Sequence, residues 1–209
     1  MKFKSDPICG FLAAVLLTAG CASMPETKYY TLSVPSDLRE KGTYRGTPDT
    51  PIFIDVLPVT VPARLARPQL VISTKGQEPQ LVILEQARWS SHFNQELRDA
   101  FVAAIGEKIG GINESHGSRK AGRPVYHIAV ELSQFDAMIG GRINARFDWT
   151  ITRSTQARRA ACYSVISEAS GSSIESLVKG IQNVVTTAAE RISQNLIELN
   201  GSGAATCRP

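Results

Sequence analysis

A chain of 209 residues has room for one domain of ordinary size, and 43% hydrophobic against 20% charged residues makes it globular and not disordered. Its formal charge of +4 is spread thinly. The one dense basic group, Arg153, Arg158 and Arg159, falls at a predicted hairpin turn, which excludes the clustered positive surface that nucleic acid needs.

The N-terminus carries the strongest local signal. Lys2 and Lys4 precede an apolar run from Ile8 to Leu17, and Thr18-Ala19-Gly20-Cys21 follows. Ten apolar residues reach about 15 Å as a helix, half of a bilayer core of about 30 Å. A cleaved signal peptide over residues 1–20 fits better than a spanning anchor. Small residues at Ala19 and Gly20 let a peptidase approach the backbone, and the cysteine directly after them resembles the lipobox of bacterial lipoproteins. That resemblance implies a diacylglyceryl group on the Cys21 thiol, cleavage before it, and a third acyl chain, of the palmitate type, on the freed amine. Thr18 stands where such motifs usually carry Leu; Leu17 is one place further back. The alternative is an ordinary signal peptide with a chance cysteine. Ala22 is not the Asp that retains many lipoproteins at the inner membrane, so the resemblance points to the periplasmic face of the outer membrane. Residues 21–28 then form a short lipidated tether.

With Cys9 in the leader and Cys21 lipidated, Cys162 and Cys207 remain, in an oxidising compartment. A single pairing is open to them. It would staple a flexible tail, residues 201–209, to the body by closing a loop of about 45 residues, worth at most about 4 kcal/mol in the loop-entropy model. The alternative is two unpaired thiols.

Strand signals come next. Tyr29–Val34 is β-rich, with Tyr29 or Tyr30 facing inward, and the polar stretch Pro35–Pro51 reads as a loop. Ile52–Val61 is β-rich again, but Pro58 limits its second half to an edge or a bulge. Leu70–Ser73 and Leu81–Leu84 flank Lys75-Gly76-Gln77 and predict a hairpin.

The period then changes. Phe93, Leu97, Ala100, Phe101, Ala104, Ile105 and Ile109 recur at three and four, predicting a helix over 90–109 that Gly110-Gly111 ends. Residues 110–124 read as a mobile loop. Val125–Ile139 predicts a long strand whose apolar phase switches from even positions, through Leu132, to odd ones from Phe135. That switch predicts a β-bulge near Ser133 and Gln134. Gly140-Gly141 is a turn, Arg142–Thr152 alternates cleanly, and Ala160–Ala169 adds a strand. Ser172 and Glu175 fit a capping box that opens a second helix. Its apolar stripe runs through Ile174, Leu177, Val178, Ile181, Val185, Ala188, Ile192, Leu196 and Leu199, and predicts packing on a sheet. The class is therefore α+β: one mixed sheet of about five to six strands, packed by two long amphipathic helices, in a single domain over residues 29–200.

No catalytic constellation is visible, so the chain reads as a non-enzyme without a cofactor or a metal. His92, His116 and His127 lack metal-ligand spacing. Nucleophile-elbow, P-loop and dinucleotide motifs are absent. Glu85 and Glu96 read as solvated carboxylates. Trp89, just before the first helix, reads as a core plug.

Three stretches carry a family resemblance: Lys28-Tyr-Tyr-Thr-Leu32, Val59-Thr-Val-Pro-Ala-Arg-Leu-Ala-Arg-Pro-Gln-Leu-Val-Ile72, and Ile83-Leu-Glu-Gln-Ala-Arg-Trp89. With the lipobox, the two long strands and the last helix, the chain resembles the paraquat-inducible protein C family, auxiliary lipoproteins of ABC-type transport systems. The resemblance implies an outer-membrane accessory subunit. Its partners would be a periplasmic protein with mammalian-cell-entry (MCE) domains and that protein's inner-membrane partner, in lipid movement between the membranes and envelope integrity. A homo-oligomeric ring is compatible with a ring-shaped partner. Pro62 and Pro68 bracket a stretch ill suited to a central strand. Arg64, Arg67 and Gln69 in and beside it are the candidate partner contacts; the alternative is an edge connection whose arginines are solvated. Two other functions stay open: a self-standing periplasmic lipid carrier, and an envelope lipoprotein of a secretion or pilus system.

Overall fold

Two periodicities build the scaffold: alternation in three consecutive strands, interrupted once by a bulge in the first, and one long apolar stripe on the helix that follows them. In a computed structural model, residues 25–33, 52–76, 80–113, 124–155 and 158–207 are described. The signal peptide, Cys21, the loop Pro35–Pro51 and His116 lie outside them.

The strands are β1 (Lys28–Tyr30), β2 (Phe53–Val56), β3 (Gln69–Ser73), β4 (Leu81–Trp89), β5 (Ile112–Asn113), β6 (Val125–Ala137), β7 (Arg142–Arg153) and β8 (Arg159–Ala169). The helices are α1 (Phe93–Ile109) and α2 (Ile174–Gly201). Among the described residues they form two sheets, ordered β1-β4-β3 and β5-β2-β6-β7-β8. The α+β class and the two helices agree with the sequence pattern, but the single sheet does not. The early strands divide between sheets because β1 and β3 flank β4, whereas β2 joins β6 in parallel. Pairings so distant in sequence leave no local signature.

β6 behaves as its pattern predicts. Leu132 lies opposite Phe147, and Gln134 opposite Arg146, so Ser133 is the extra residue of a bulge. The shift keeps Ile128, Val130 and Leu132, then Phe135 and Ala137, on one buried face. Pro58 breaks the course of β2, yet Leu57 and Thr60 still donate N–H bonds to Ile128 and Val130 of β6. The segment after Ile109, expected as a loop, adds β5 beside β2 in parallel. Gly110, left-handed at φ 59°, makes the abrupt exit from α1 possible.

Both helices cover the same face of the larger sheet, α1 over β2 and α2 over β7 and β8. The stripe of α2 is buried from Leu177 to Leu199. Gly180 permits its close approach, since a Cβ there would stand 2.5 Å from Ile143 Cδ1. The helix starts one residue later than predicted. Ser173 is the N-cap, and Ser176, not Glu175, closes the box. The opposite face of β6–β8 stays wet. Arg146 pairs with Asp148 at 3.0 Å there and lies over the Tyr163 ring at 4.3 Å.

Phe101 ties α1 to the sheet. It is fully buried and meets Phe147 edge-on, with ring centroids 5.6 Å apart. Phe101→Ala is expected to lower stability by about 3–5 kcal/mol, read as an earlier urea midpoint at unchanged slope. A loss below about 1 kcal/mol would contradict this packing.

Candidate docking segment and tether junction

The proline-bracketed stretch is held in place by its own backbone. Ala63–Leu65 forms a 3₁₀ turn that follows Pro62, and Leu65 plugs it into the core at 4% exposure. Arg64 projects from this turn into solvent, touching the protein through a 3.4 Å bond to the Phe135 carbonyl. Arg67 does not project as expected. It is half-buried, and its Nε is enclosed with no acceptor among the described residues. Gln69 opens β3 and donates to Glu85, which also accepts from Arg88.

Three chain segments meet where β4 gives way to α1. The Trp89 N–H donates to the Pro68 carbonyl at 2.6 Å, the Ser90 N–H to Tyr30 at 2.8 Å, and the Phe93 N–H to Arg67 at 3.3 Å. His92 caps α1 without a side-chain bond, so the Arg67 carbonyl satisfies one of the orphan donors of its first turn. Trp89 is the predicted plug, 4% exposed and stacked on Phe93 at 5.2 Å.

Glu96 locks this junction. Expected in water, it is only 4% exposed. One carboxylate oxygen accepts from Thr31 Oγ1 and the Leu32 N–H, both at 2.9 Å. The other accepts from Ser90 Oγ at 2.5 Å, the Ser91 N–H at 3.1 Å and Ser91 Oγ at 2.9 Å. Burial pushes the carboxyl up, but bonds from Ser90, Leu32, Ser91 and Thr31 outweigh it and hold the group below its ordinary value. The spacing of Ser90-Ser91 before Glu96 was the available signal: donors just before a helix, and an acid in its first turns.

The tether is fastened beside this lock. Lys28 Nζ and Tyr30 Oη both donate to Glu175 at the start of α2, at 3.3 and 3.2 Å. Its own backbone N–H, then Lys28, Ser173 and Tyr30, pull the Glu175 carboxyl down to about 2. Gln182 of α2 adds a bond to the Thr31 carbonyl.

At the far end, Cys162 of β8 and Cys207 are joined as a disulfide, with Cα atoms 5.3 Å apart. The segment after α2 is bonded to the body as well. Asn195 accepts from Trp149 Nε1 and donates to the Thr206 carbonyl, while the Thr206 N–H reaches Glu198.

Among the described residues, no group of three or more His, Cys, Asp or Glu side chains is placed to hold a metal. His127 pairs with Asp55 at 3.1 Å. A cavity of about 10 Å³ lies between Leu65, Leu70, Trp89, Phe93, Phe135 and Ile181, at the lower limit for one water. A larger recess of about 630 Å³ is an open groove on the wet face of β6–β8, where Glu131 and Asp148 line it.

The sequence matches the family model described as ABC-type transport auxiliary lipoprotein component over residues 30–193. Two crystal structures share the fold. One, of an uncharacterized protein, is 19% identical with a TM-score of 0.59, covering 82% of this chain and 99% of that one. The other, of a protein from Xanthomonas campestris, is 16% identical with a TM-score of 0.54, covering 75% of this chain and 90% of that one. No curated protein matches at a comparable level.

Glu96→Ala is expected to cost about 2–3 kcal/mol, because it orphans the buried N–H of Leu32 and the half-buried N–H of Ser91. The Glu96 carboxyl is depressed in the folded state, so its contribution is full above the unfolded value of about 4.3 and fades as pH falls through the folded one. Denaturant midpoints at pH 7 and pH 3 check this: the gap between the native chain and Glu96→Gln narrows in acid. A gap independent of pH would contradict the ionised lock.

Proposed function

The chain belongs to the ABC-type transport auxiliary lipoprotein family, and on that premise we propose that it is a non-catalytic accessory subunit held by Cys21 on the periplasmic face of the outer membrane. There it docks the periplasmic MCE-domain assembly, and through it the inner-membrane partner, in support of intermembrane lipid transport and envelope integrity.

One observation carries the reading. The stretches Lys28–Leu32, Val59–Ile72 and Ile83–Trp89 are remote in sequence, yet they converge on the start of α1 through the Tyr30, Pro68 and Arg67 carbonyls. The anchor side of the chain and the proline-bracketed segment thus form one rigid piece. A domain whose tether is clamped to its docking segment transmits position, which an accessory subunit requires. Arg64, exposed on the turn, is the side chain placed to meet a partner; Gln69 opens the strand that follows it, where it bonds Glu85. A ring of copies around a ring-shaped partner fits the same role.

A self-standing lipid carrier would need an enclosed apolar volume of several hundred Å³. Among the described residues, the cavity at the junction offers about 10 Å³, and the larger groove is open and carries Glu131 and Asp148. Both observations favour the docking role.

Arg64→Glu separates docking from folding. Its stability is expected within about 0.5 kcal/mol of the native chain, since Arg64 is a surface residue with one long bond. Purified from membranes in mild detergent, the native chain is expected to retain the MCE-domain protein and Arg64→Glu to lose it. Absence of that protein from the native preparation contradicts the accessory role. Equal retention by both chains contradicts the assignment of Arg64.

A further inference from the structure

Strand register fixes the direction in which the tether leaves the domain. β1 runs parallel to β4, with Lys28 opposite Ala87 and Tyr30 opposite Trp89. One residue before β1, Thr27 still reaches Gln86. The described chain begins at Pro25, two residues before Thr27, on the side of the parallel pair from which β4 runs back to Leu81. Cys21 is four residues further on, at most about 14 Å of extended chain.

The surface changes character there. Leu81, Val82 and Ile83 are 53%, 37% and 41% exposed. Across the hairpin, Val71 lies opposite Ile83 and Ile72 opposite Val82. Successive side chains point to opposite faces, so this hairpin is apolar on both. A half-buried antiparallel pair alternates apolar with polar; this one does not. The β6–β7 turn lies alongside, with Met138 and Ile139 half-buried. Ser73 joins the hairpin to it through Asp136, and Lys75 Nζ stands near Gly140. An apolar patch of this kind, rimmed by an exposed lysine, marks a contact surface.

We propose that this end of the domain is a second membrane contact, in which Leu81, Val82 and Ile83 enter the boundary between headgroups and acyl chains of the leaflet that holds Cys21. The proposal rests on the lipid-anchor reading and deepens it. The occupant is a lipid surface because of where the described chain ends: Pro25 is four residues from an acylated Cys21, at most about 14 Å of extended chain. A bilayer is therefore permanently within reach, and the second contact is intramolecular in effect. The two contacts together set orientation as well as attachment. Gln69 stands at the other end of β3, about 13 Å from Ser73 along the strand, which turns the docking segment away from the lipid.

The test uses the full lipidated chain in vesicles of phosphatidylethanolamine and phosphatidylglycerol, with brominated lipid as a depth-dependent quencher. Ile83→Trp and Val82→Trp report on the two faces of the hairpin. Val165→Trp, 57% exposed on the wet face of β8, is the control. Flotation with the vesicles reports the anchor separately. The expected result is flotation of all chains, with hairpin tryptophans quenched about twofold or more beyond the control, as for side chains at interfacial depth. Flotation with equal quenching of all three overturns the hairpin contact and leaves the anchor standing. Failure to float removes the anchor and the hairpin contact together. Hairpin tryptophans shielded by an added MCE-domain protein, and not by lipid, overturn the proposal in favour of a protein surface.

Discussion

Taking a carboxylate out of water costs several kcal/mol unless its lone pairs all find donors, and Glu96 meets that condition with five hydrogen bonds. Its donors come from two places: the segment after β1, and the turn between β4 and α1. A neutral side chain could fill the volume, but only an ionised one makes both segments converge on a single point. The first turn of α1 adds its own partial positive charge to the same spot. Because buried charges are so costly when half-satisfied, the arrangement is all or none, which makes the segment after β1 a fixed part of the domain.

The remainder of the architecture follows from where that lock sits. The sheet β5-β2-β6-β7-β8 and the two helices form a conventional layered core. The small sheet β1-β4-β3 hangs from it and holds the stretches that carry the family resemblance: β1 on one edge, the proposed docking segment at the start of β3, and the apolar hairpin at its far end. Trp89 and Phe93 fill the space behind the junction, so the small sheet packs on the core as a unit. Distances within this unit are short, which is why the proposed anchor, orientation and docking can be one property.

Local patterns were legible where the physics is local. Alternation gave β6, β7 and β8, the phase switch gave the bulge at Ser133, and three-four spacing gave both helices. Pairing at a distance was not legible. Nothing near Lys28 announces that it will lie parallel to Ala87, so two sheets read as one. Two-residue β5 lacks enough length for any periodicity. Ser172 and Ser173 are equivalent as letters, and only the helix phase chose the second as cap. Among the site residues, the exposure of Arg64 was readable from its prolines. The burial of Glu96 depended on the segment after β1, more than sixty residues away, and the half-burial of Arg67 on the start of α1.

The central claim is that the Glu96 carboxylate fixes the segment after β1 to the rest of the domain. Amide hydrogen exchange of the Glu96→Gln chain at neutral pH tests it most directly. The segment Lys28–Ser33 is predicted to lose its protection while β6, β7 and β8 keep theirs, because the amide can no longer accept from every donor. Protection of Lys28–Ser33 equal to that in the native chain would contradict the account.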